Sequence, residues 1–443
     1  MSARDTICAL ASGPPPSAIA VVRISGPQVR EICVRLLASG LPAPRRSVLT
    51  RIHDLAGAEV DEGLVLFSPA PHSYTGEDTL ELYLHGGSAV IDHALSALTA
   101  LPGVRLAEPG EFTRRAFEAG KLDLAEAEGV ADLIEAETLS QKSQALRQVS
   151  GGLSHTYNEW RDQLTGLLAL VEVMVDFPDE GDVSSDAAAP LRNKIAALMS
   201  EIETALGDGG IGERIRDGFR IAIIGAPNAG KSTLLNRLAG REAAIVTARP
   251  GTTRDVIEIR RVLGGQVVWI ADTAGLRETD DEIEAEGIRR AKMTADDADL
   301  CILLVDASNP SAPPHPPWPP PKGIRVVNKA DISTAPLPSP ADFVISAKDG
   351  AGIDALEAGL AARVTALASS VESPVITRAR HREKLTRGLA ALGSANAALD
   401  QDLGFELVAE DLRLAIREMQ AIVGEIGVED VLGAVFSRFC IGK

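Results

Sequence analysis

The stretch Gly225-Ala-Pro-Asn-Ala-Gly230-Lys231-Ser232 constrains this chain more than any other. It fits G-x-x-x-x-G-K-[ST] and lies between the apolar run Ile221 to Ile224 and the helix-prone Thr233 to Leu238, as such a loop requires. Glycine lets the backbone wrap an anion, so that successive N–H groups and the next helix N-terminus point at phosphate oxygens. Lys231 would neutralise the β/γ-phosphates of a bound nucleotide, and the Ser232 hydroxyl would meet Mg²⁺. From about Arg216 onward, β-like runs at Ile221–Gly225, Val267–Ala271, Leu300–Asp306, Gly323–Asn328 and Phe343–Ser346 alternate with helical ones. That alternation predicts a doubly wound sheet with helices on both faces. Eight prolines in the twelve positions Pro310–Pro321 exclude a helix there and predict a stiff surface spacer.

Four further fragments follow in order. Asp272-Thr273-Ala274-Gly275 leaves the end of a predicted strand, facing the Mg²⁺ shell. Thr253, in Gly251-Thr-Thr-Arg-Asp255, offers a hydroxyl that reaches Mg²⁺ only when a γ-phosphate orders the loop. In Asn328-Lys329-Ala330-Asp331 a carboxylate can accept both N1–H and N2–H₂ of guanine; adenine, with an acceptor at N1, would leave it poorly paired. Ser346-Ala347-Lys348 can brace base and ribose. All five fragments fall within 124 residues, and the ordered set resembles the translation-factor-type GTPases. The residue after the D-x-x-G glycine is Leu276, which cannot orient a water as the glutamine of Ras-type enzymes does. Glu284 can act through an intervening water, with Glu282 and Glu286 as rivals and a solvated acidic helix start as the plain alternative. The Asn228 carbonyl either helps hold a monovalent cation beside the phosphates or packs the loop.

The chain has 443 residues, so two or three domains are expected. A net charge of −18 excludes a protein that coats nucleic acid through its overall field, so RNA contacts must be local. Cys8, Cys33, Cys301 and Cys440 lie far apart without zinc spacing; a reducing, cytoplasmic setting and a packed Cys301 thiol follow. No apolar run is long enough to span a membrane, and the N-terminus carries neither a secretory nor an organelle-targeting pattern. Ile7 to about Gly110 reads as mixed α+β, with strands at Ala18–Ile24, Gly63–Phe67 and Thr79–Leu84. From Phe112 helices take over: Leu122, Ala125, Gly129, Leu133 and Ala136 recur at helical spacing, and the acidic stretch Asp176–Asp186 is a loop or junction. Gly207, Gly209, Gly210 and Gly212 form a flexible joint before the nucleotide-binding segment. After Pro374, Val408, Leu412, Ala415, Ile416 and Met419 mark an apolar face that needs the earlier helices as partner, giving a helical domain split by an inserted sheet domain.

Residues outside the nucleotide motifs carry a closer resemblance. Val22-Arg-Ile-Ser-Gly26, Tyr74-Thr-Gly-Glu-Asp78 with Glu81, His85-Gly-Gly87, Pro109-Gly-Glu-Phe112, Lys121-Leu-Asp-Leu124, Phe177-Pro-Asp-Glu180 and terminal Phe439-Cys-Ile-Gly-Lys443, with the GTPase motifs, resemble the MnmE (TrmE) family of tRNA modification GTPases from end to end. The resemblance implies an N-terminal tetrahydrofolate-binding and dimerisation domain over 1–118, a helical domain in two parts over 119–214 and 377–443, and a Ras-like P-loop GTPase domain over 215–376. It implies a potassium-stimulated GTPase that works as a homodimer with the FAD-dependent MnmG flavoprotein. Together they build carboxymethylaminomethyl-type groups at C5 of the wobble uridine of certain tRNAs, with 5-formyl- or 5,10-methylene-tetrahydrofolate as one-carbon donor. Folate residues map onto Arg23, Glu81, Lys121 and Lys443, a set whose cations suit a glutamate tail and whose carboxylate suits a pterin edge. Cys440 either touches the one-carbon unit or is an inert buried thiol. Potassium ligands map onto Asn228, Thr247, Arg249 and Thr252, and Mg²⁺ onto Ser232 and Thr253. The catalytic set is Glu284, Lys231 and Asn228. GTP contacts fall on Asn228, Ala229, Gly230, Lys231, Ser232, Thr233, Thr247, Arg249, Thr252, Thr253, Asp272, Thr273, Ala274, Gly275, Asn328, Lys329, Asp331, Ser346, Ala347 and Lys348. Two segments depart from the pattern: Ala11–Ala20 has Ser-Gly-Pro-Pro-Pro-Ser near the folate residues, and the proline stretch replaces a longer, partly helical one, at the expense of one outer helix. A GTP-gated, Era-like assembly factor is the competing reading, disfavoured by the absence of a basic RNA-binding module and by the folate residues. Which tRNAs are modified, and whether glycine or ammonium is the co-substrate, stay open.

Overall fold

A computed structural model of the chain describes residues 5–176, 185–208, 210–240, 245–247, 258–272, 292–309, 323–333, 337–338, 340–371, 375–401, 403–426, 429–437, 439 and 441–442. They form two compact units. One comprises Met1–Ile134, Leu146–Leu198 and Arg387–Lys443, the other Glu135–Ala145 and Met199–Thr386.

The first unit holds a six-stranded sheet of β1 (Thr6–Leu10), β2 (Ser17–Ser25), β3 (Ser47–His53), β4 (Glu59–Ser68), β5 (Thr79–Gly86) and β6 (Val104–Leu106), in the order β3-β4-β5-β2-β1-β6. All neighbours are antiparallel except β1 and β6. Alternation decides which face is buried. Ala20, Val22 and Ile24 of β2 point into the core, where helix Val29–Leu36 supplies Val29, Ile32, Cys33 and Leu36 and helix Ser88–Thr99 supplies Ala94, Ala97 and Leu98. The intervening positions put Arg23 and Glu81 on the opposite face.

The helical part of this unit follows its caps. Helix Leu124–Glu135 starts later than the spacing from Leu122 predicts, because Asp123 and Glu126 cap each other: Asp123 Oδ1 accepts the Glu126 N–H at 2.8 Å and Glu126 Oε2 accepts the Asp123 N–H at 2.8 Å. Its buried side is therefore Leu124, Ala125, Ala127, Glu128 and Gly129, with Leu133 and Ala136 only half-buried. Helix Phe405–Val423 packs along helix Gly152–Asp176, as its apolar face requires. Val408, Leu412, Ala415 and Met419 are buried and Ile416 half-buried, with Ile422 and Val423 extending the buried side. Helix Gly152–Asp176 ends before, and helix Ser185–Leu206 begins after, residues 177–184 of the acidic stretch, which lie outside the described residues.

The second unit is the doubly wound sheet. Strands β7 (Phe219–Gly225), β8 (Ile245–Thr247), β9 (Glu258–Leu263), β10 (Gln266–Asp272), β11 (Leu300–Asp306), β12 (Gly323–Asn328) and β13 (Phe343–Val344) lie in the order β13-β12-β11-β7-β10-β9-β8. The run from β13 to β10 is parallel, and β9 and β8 close one edge antiparallel. Both faces of β7 are covered. Ile221 and Ile223 join helices Lys231–Ala239 and Ile353–Ala368 in one core, while Ala222 and Ile224 join Cys301 and Ala295 in another. Burial pushes the Cys301 thiol up to about 11, as befits a packed, inert sulfur. The glycine-rich segment is less of a free joint than its composition predicts: Gly210, at φ 75°, opens helix Ile211–Asp217, whose Ile211 and Ile215 join the first core. The proline stretch lies outside the described residues. Among the described residues, no helix is long and apolar enough to cross a membrane.

Candidate functional site

In a parallel sheet every strand ends on the same edge, so β7, β10, β11 and β12 deliver Gly225, Asp272, Asp306 and Asn328 to one rim. The loop leaving β7 turns through Asn228 at φ 61° and Gly230 at φ 96°, then starts helix Lys231–Ala239. Gly230 cannot carry a side chain: a Cβ there would lie 2.3 Å from Asn328 Nδ2. Lys231, only 7% exposed, folds back over the loop and donates from Nζ to the Gly225 and Ala226 carbonyls at 2.9 and 3.0 Å. Burial pushes its pKa down, against the opposing pull of Asp272. Ser232 Oγ donates to Asp272 Oδ2 at 2.5 Å. A hydroxyl and a carboxylate side by side beneath a phosphate-binding loop are the oxygen donors that Mg²⁺ takes.

The base-side motifs are stitched to this loop. Asn328, 2% exposed, donates from Nδ2 to the Ala229 carbonyl at 2.8 Å and accepts the Ala347 N–H on Oδ1 at 2.9 Å. One side chain thus ties the phosphate loop to the Ser346–Lys348 turn. Arg237, one turn from the end of helix Lys231–Ala239, adds a bond from Nε to the Ala347 carbonyl at 3.1 Å. Ser346 and Ala347 are buried, whereas Asp331, Lys348, Asn228, Ser232 and Thr233 are exposed. Thr247 ends β8 and is described in its backbone alone. Arg249, Thr252, Thr253, Thr273, Ala274, Gly275 and Glu284 lie outside the described residues, as do Glu282, Glu286, Cys440 and Lys443.

A second constellation sits on the polar face of the first unit's sheet. Arg23 of β2 and Glu81 of β5 are cross-strand partners, bonded Nε to Oε1 at 2.9 Å, and the Tyr83 hydroxyl donates to Glu81 Oε2 at 2.8 Å. The Arg23 guanidinium lies 5.6 Å from the Tyr74 ring and 5.8 Å from that of Phe112. The loop carrying Tyr74 is pinned from beneath. Glu77 accepts from Ser25 Oγ at 2.8 Å and from the buried Arg115 at 3.0 Å, and the Tyr74 hydroxyl meets Thr113 Oγ1 at 2.9 Å. The Lys121 stem runs past the same loop, since a Cβ on Gly76 would stand 3.6 Å from Lys121 Cε. The C-terminal tail arrives here too: a Cβ on Gly442, at φ 101°, would lie 2.0 Å from the carbonyl oxygen of Leu10, which pairs with Val22 next to Arg23.

Comparison with known proteins matches both halves of this arrangement. Residues 124–440 match the family described as MnmE helical domain, and residues 6–121 the family described as GTP-binding protein TrmE N-terminus. The tRNA modification GTPase MnmE of Hyphomonas neptunium is 66% identical over 443 residues, covering 100% of both chains. The chain belongs to the MnmE family of tRNA modification GTPases. The MnmE proteins of Phenylobacterium zucineum and Parvibaculum lavamentivorans are 51% and 52% identical, each over 99% of this chain and 100% of theirs. Among solved structures, Aquifex aeolicus Era bound to GDP and AlF4− aligns with 32% of this chain and 56% of its own at 26% identity and a TM-score of 0.25. As an MnmE-family member the chain is a GTP-binding hydrolase acting in tRNA modification.

Of the residues named from sequence, the structure gathers Gly230, Lys231, Ser232, Asp272, Asn328, Ser346 and Ala347 at one rim, and brings Arg23, Glu81 and Lys121 to the Tyr74 loop. Sequence reasoning passes over Asp306, which receives Lys329, and Arg237, which braces Ala347. Asp306 left a trace, an aspartate closing an apolar strand as Asp272 does. Phe112 was named only as part of Pro109-Gly-Glu-Phe112 and Arg115 not at all, because their partners are 89 and 38 residues away and meet them only through sheet and helix packing; Tyr83 was passed over although Glu81 is two residues away on the same strand.

Proposed function

We propose that this chain is a potassium-stimulated GTPase that, as a homodimer and with an FAD-dependent MnmG partner in the cytoplasm, modifies C5 of the wobble uridine of certain tRNAs with a one-carbon unit from a tetrahydrofolate. Segments 1–118, 119–214, 215–376 and 377–443 serve as the N-terminal, first helical, GTPase and second helical parts. The observation that supports the nucleotide half is the pair of hydrogen bonds by which Asn328 ties the Ser346–Lys348 turn to the loop carrying Ala229 and Gly230. In hydrolysis a water oxygen bonds to the γ-phosphorus as the bond to the β-bridging oxygen breaks, releasing GDP and phosphate. Lys231 holds the β/γ-phosphates, and Glu284 takes the water's proton through an intervening water. Mg²⁺, held by Ser232 and Thr253, and K⁺, held by Asn228, Thr247, Arg249 and Thr252, would supply positive charge against the phosphates.

The folate half is supported by the Arg23–Glu81 pair with its aromatic neighbours: a cation for a glutamate tail and a carboxylate for a pterin edge, on the sheet face opposite the Val29–Leu36 and Ser88–Thr99 helices. Dimerisation is supported by the same face, where Leu49 of β3 (66% exposed) stands opposite Leu64 of β4 (46% exposed), with Ile19 of β2 also exposed. The test is GTP turnover in potassium against sodium, beside equilibrium binding of 5-formyltetrahydrofolate to wild type and E81Q. Faster turnover in potassium and folate binding lost in E81Q are expected. Equal turnover in both salts removes the cation mechanism, and absence of folate binding in wild type removes the one-carbon reading.

A further inference from the structure

At the rim of the second unit's sheet, the turn leaving β11 does something the nucleotide motifs do not account for. Asp306 and Asn328 are register partners at the ends of β11 and β12. The next residue, Lys329, has φ 63°, a left-handed turn that side-chain-bearing residues rarely adopt. Its ammonium donates from Nζ to Asp306 Oδ2 at 2.6 Å. Asp306 is itself held: Oδ1 accepts the Ser308 N–H at 2.9 Å and the Ser308 hydroxyl at 2.6 Å. The same turn grips the loop that carries Asp331 at two further points. Ala307 N–H donates to the Asn328 carbonyl at 2.9 Å, and Ser333 Oγ donates to the Ala307 carbonyl at 3.2 Å. From the other side the Ala330 N–H donates to the Ile345 carbonyl at 3.2 Å.

We propose that Asp306 is a positioning residue for guanine-nucleotide binding: it anchors Lys329 and, through the 306–308 turn, fixes the Asn328–Ser333 loop on which Asp331 reads the base. The proposal rests on the reading of Asn328–Asp331 as the base-recognition motif. The charge balance fits this role. With Asp306 as counter-ion, Lys329 offers the base its aliphatic stem with the charge already compensated, and the stem is held at both ends, by the left-handed backbone and by the carboxylate. Burial alone would push the Asp306 carboxyl up, yet the bonds from Lys329 and Ser308 outweigh it and hold the group ionised below its ordinary range. Asp306 approaches no phosphate-loop residue in the bonds it makes, so its influence is on nucleotide affinity and not on the hydrolytic step.

The test uses the full chain and five variants, D306N, K329M, the double variant, S308A and D331N, with calorimetric Kd values for GDP and xanthosine diphosphate and with steady-state GTP turnover. D306N and K329M should each weaken GDP about tenfold, and the double variant no more than the weaker single one, as expected for a coupled pair. In D306N, KM should rise while kcat is retained. S308A, which leaves both charges in place, should weaken GDP by a smaller factor. GDP affinity of D306N within twofold of wild type, additive losses in the double variant, or a fall in kcat at constant KM would each overturn the assignment. D331N separates the two layers: a switch of preference to xanthosine diphosphate supports the base-reading motif, and no switch refutes that reading whatever D306N does. Thermal unfolding of each variant with and without GDP distinguishes a misfolded chain from one that folds and binds weakly.

Discussion

Replacing Asn328 by alanine removes the clip that holds the two halves of the nucleotide rim together. Its amide donates to the Ala229 carbonyl at 2.8 Å and accepts the Ala347 N–H at 2.9 Å, and Ala229 and Ala347 are 0% and 2% exposed. Truncation therefore strands one buried carbonyl and one buried N–H, each costing about 1–3 kcal/mol. Together that is about 2–6 kcal/mol, a large part of the roughly 5–15 kcal/mol that holds a domain folded. The loss is local, so the suitable assay is hydrogen exchange by mass spectrometry on peptides spanning 219–230 and 343–350, with peptides from β2 and β5 as internal controls. Exchange should quicken in the first set by a factor corresponding to that energy, and GDP affinity should fall by more than tenfold. A second arm uses Gly230→Ala, whose new Cβ would stand 2.3 Å from Asn328 Nδ2. Alanine at 328 removes the obstructing atom, so the pair of substitutions should cost less than their sum, with Gly230→Ala then adding only the strain of the φ 96° backbone. Unchanged exchange at both peptides with wild-type GDP affinity would refute the claim that Asn328 couples phosphate loop and base turn.

Three other outcomes follow from the same geometry. Burial lowers the pKa of Lys231, and nucleotide phosphates should raise it again, so GDP binding at alkaline pH should take up protons, measurable by calorimetry in buffers of different ionisation enthalpy and abolished in K231M. In Glu111, burial pushes the carboxyl up but bonds from Arg105, the Glu108 N–H and Arg115 prevail, bringing it from 4.5 to about 2; the difference is worth about 3 kcal/mol, present above pH 4.5 and lost as pH falls toward 2. Acid unfolding of the first unit should be flatter across that window in E111Q, and an identical pH slope in both proteins would count against the ion network. On the dimer proposed above, Leu49→Arg, on the exposed face of β3, should shift sedimentation toward monomer without reducing GDP affinity; an unchanged sedimentation coefficient would count against pairing through that face.

Much of the second unit was legible because its signals are local. The apolar runs ending in Gly225, Asp272, Asp306 and Asn328 became parallel strands at the predicted places, since a strand buried on both faces has to be apolar throughout and its polar residue marks the exit. Other parts were harder to place. In the first unit the helix expected from Leu122 begins at Leu124 because of a cap between two side chains, and in the second unit the glycines around Gly210 lead into a helix because Ile211 and Ile215 find a core to enter. Neither fact is contained in the composition of those segments.

By itself the sequence determined the chemistry on offer: a loop of small residues for phosphates, a lysine and a hydroxyl next to it, carboxylates at strand ends, and the end-to-end similarity to MnmE proteins. Only the tertiary structure decided which of these groups touch. Arg23 meets Glu81 across 58 residues because the register of β2 against β5 puts them opposite each other, and Asn328 reaches back 99 residues to Ala229 because parallel strands end on one edge. Residue types are written one position at a time, whereas register and strand order arise from the burial of all the apolar faces at once. A partner chosen in that way is invisible until the sheet is assembled.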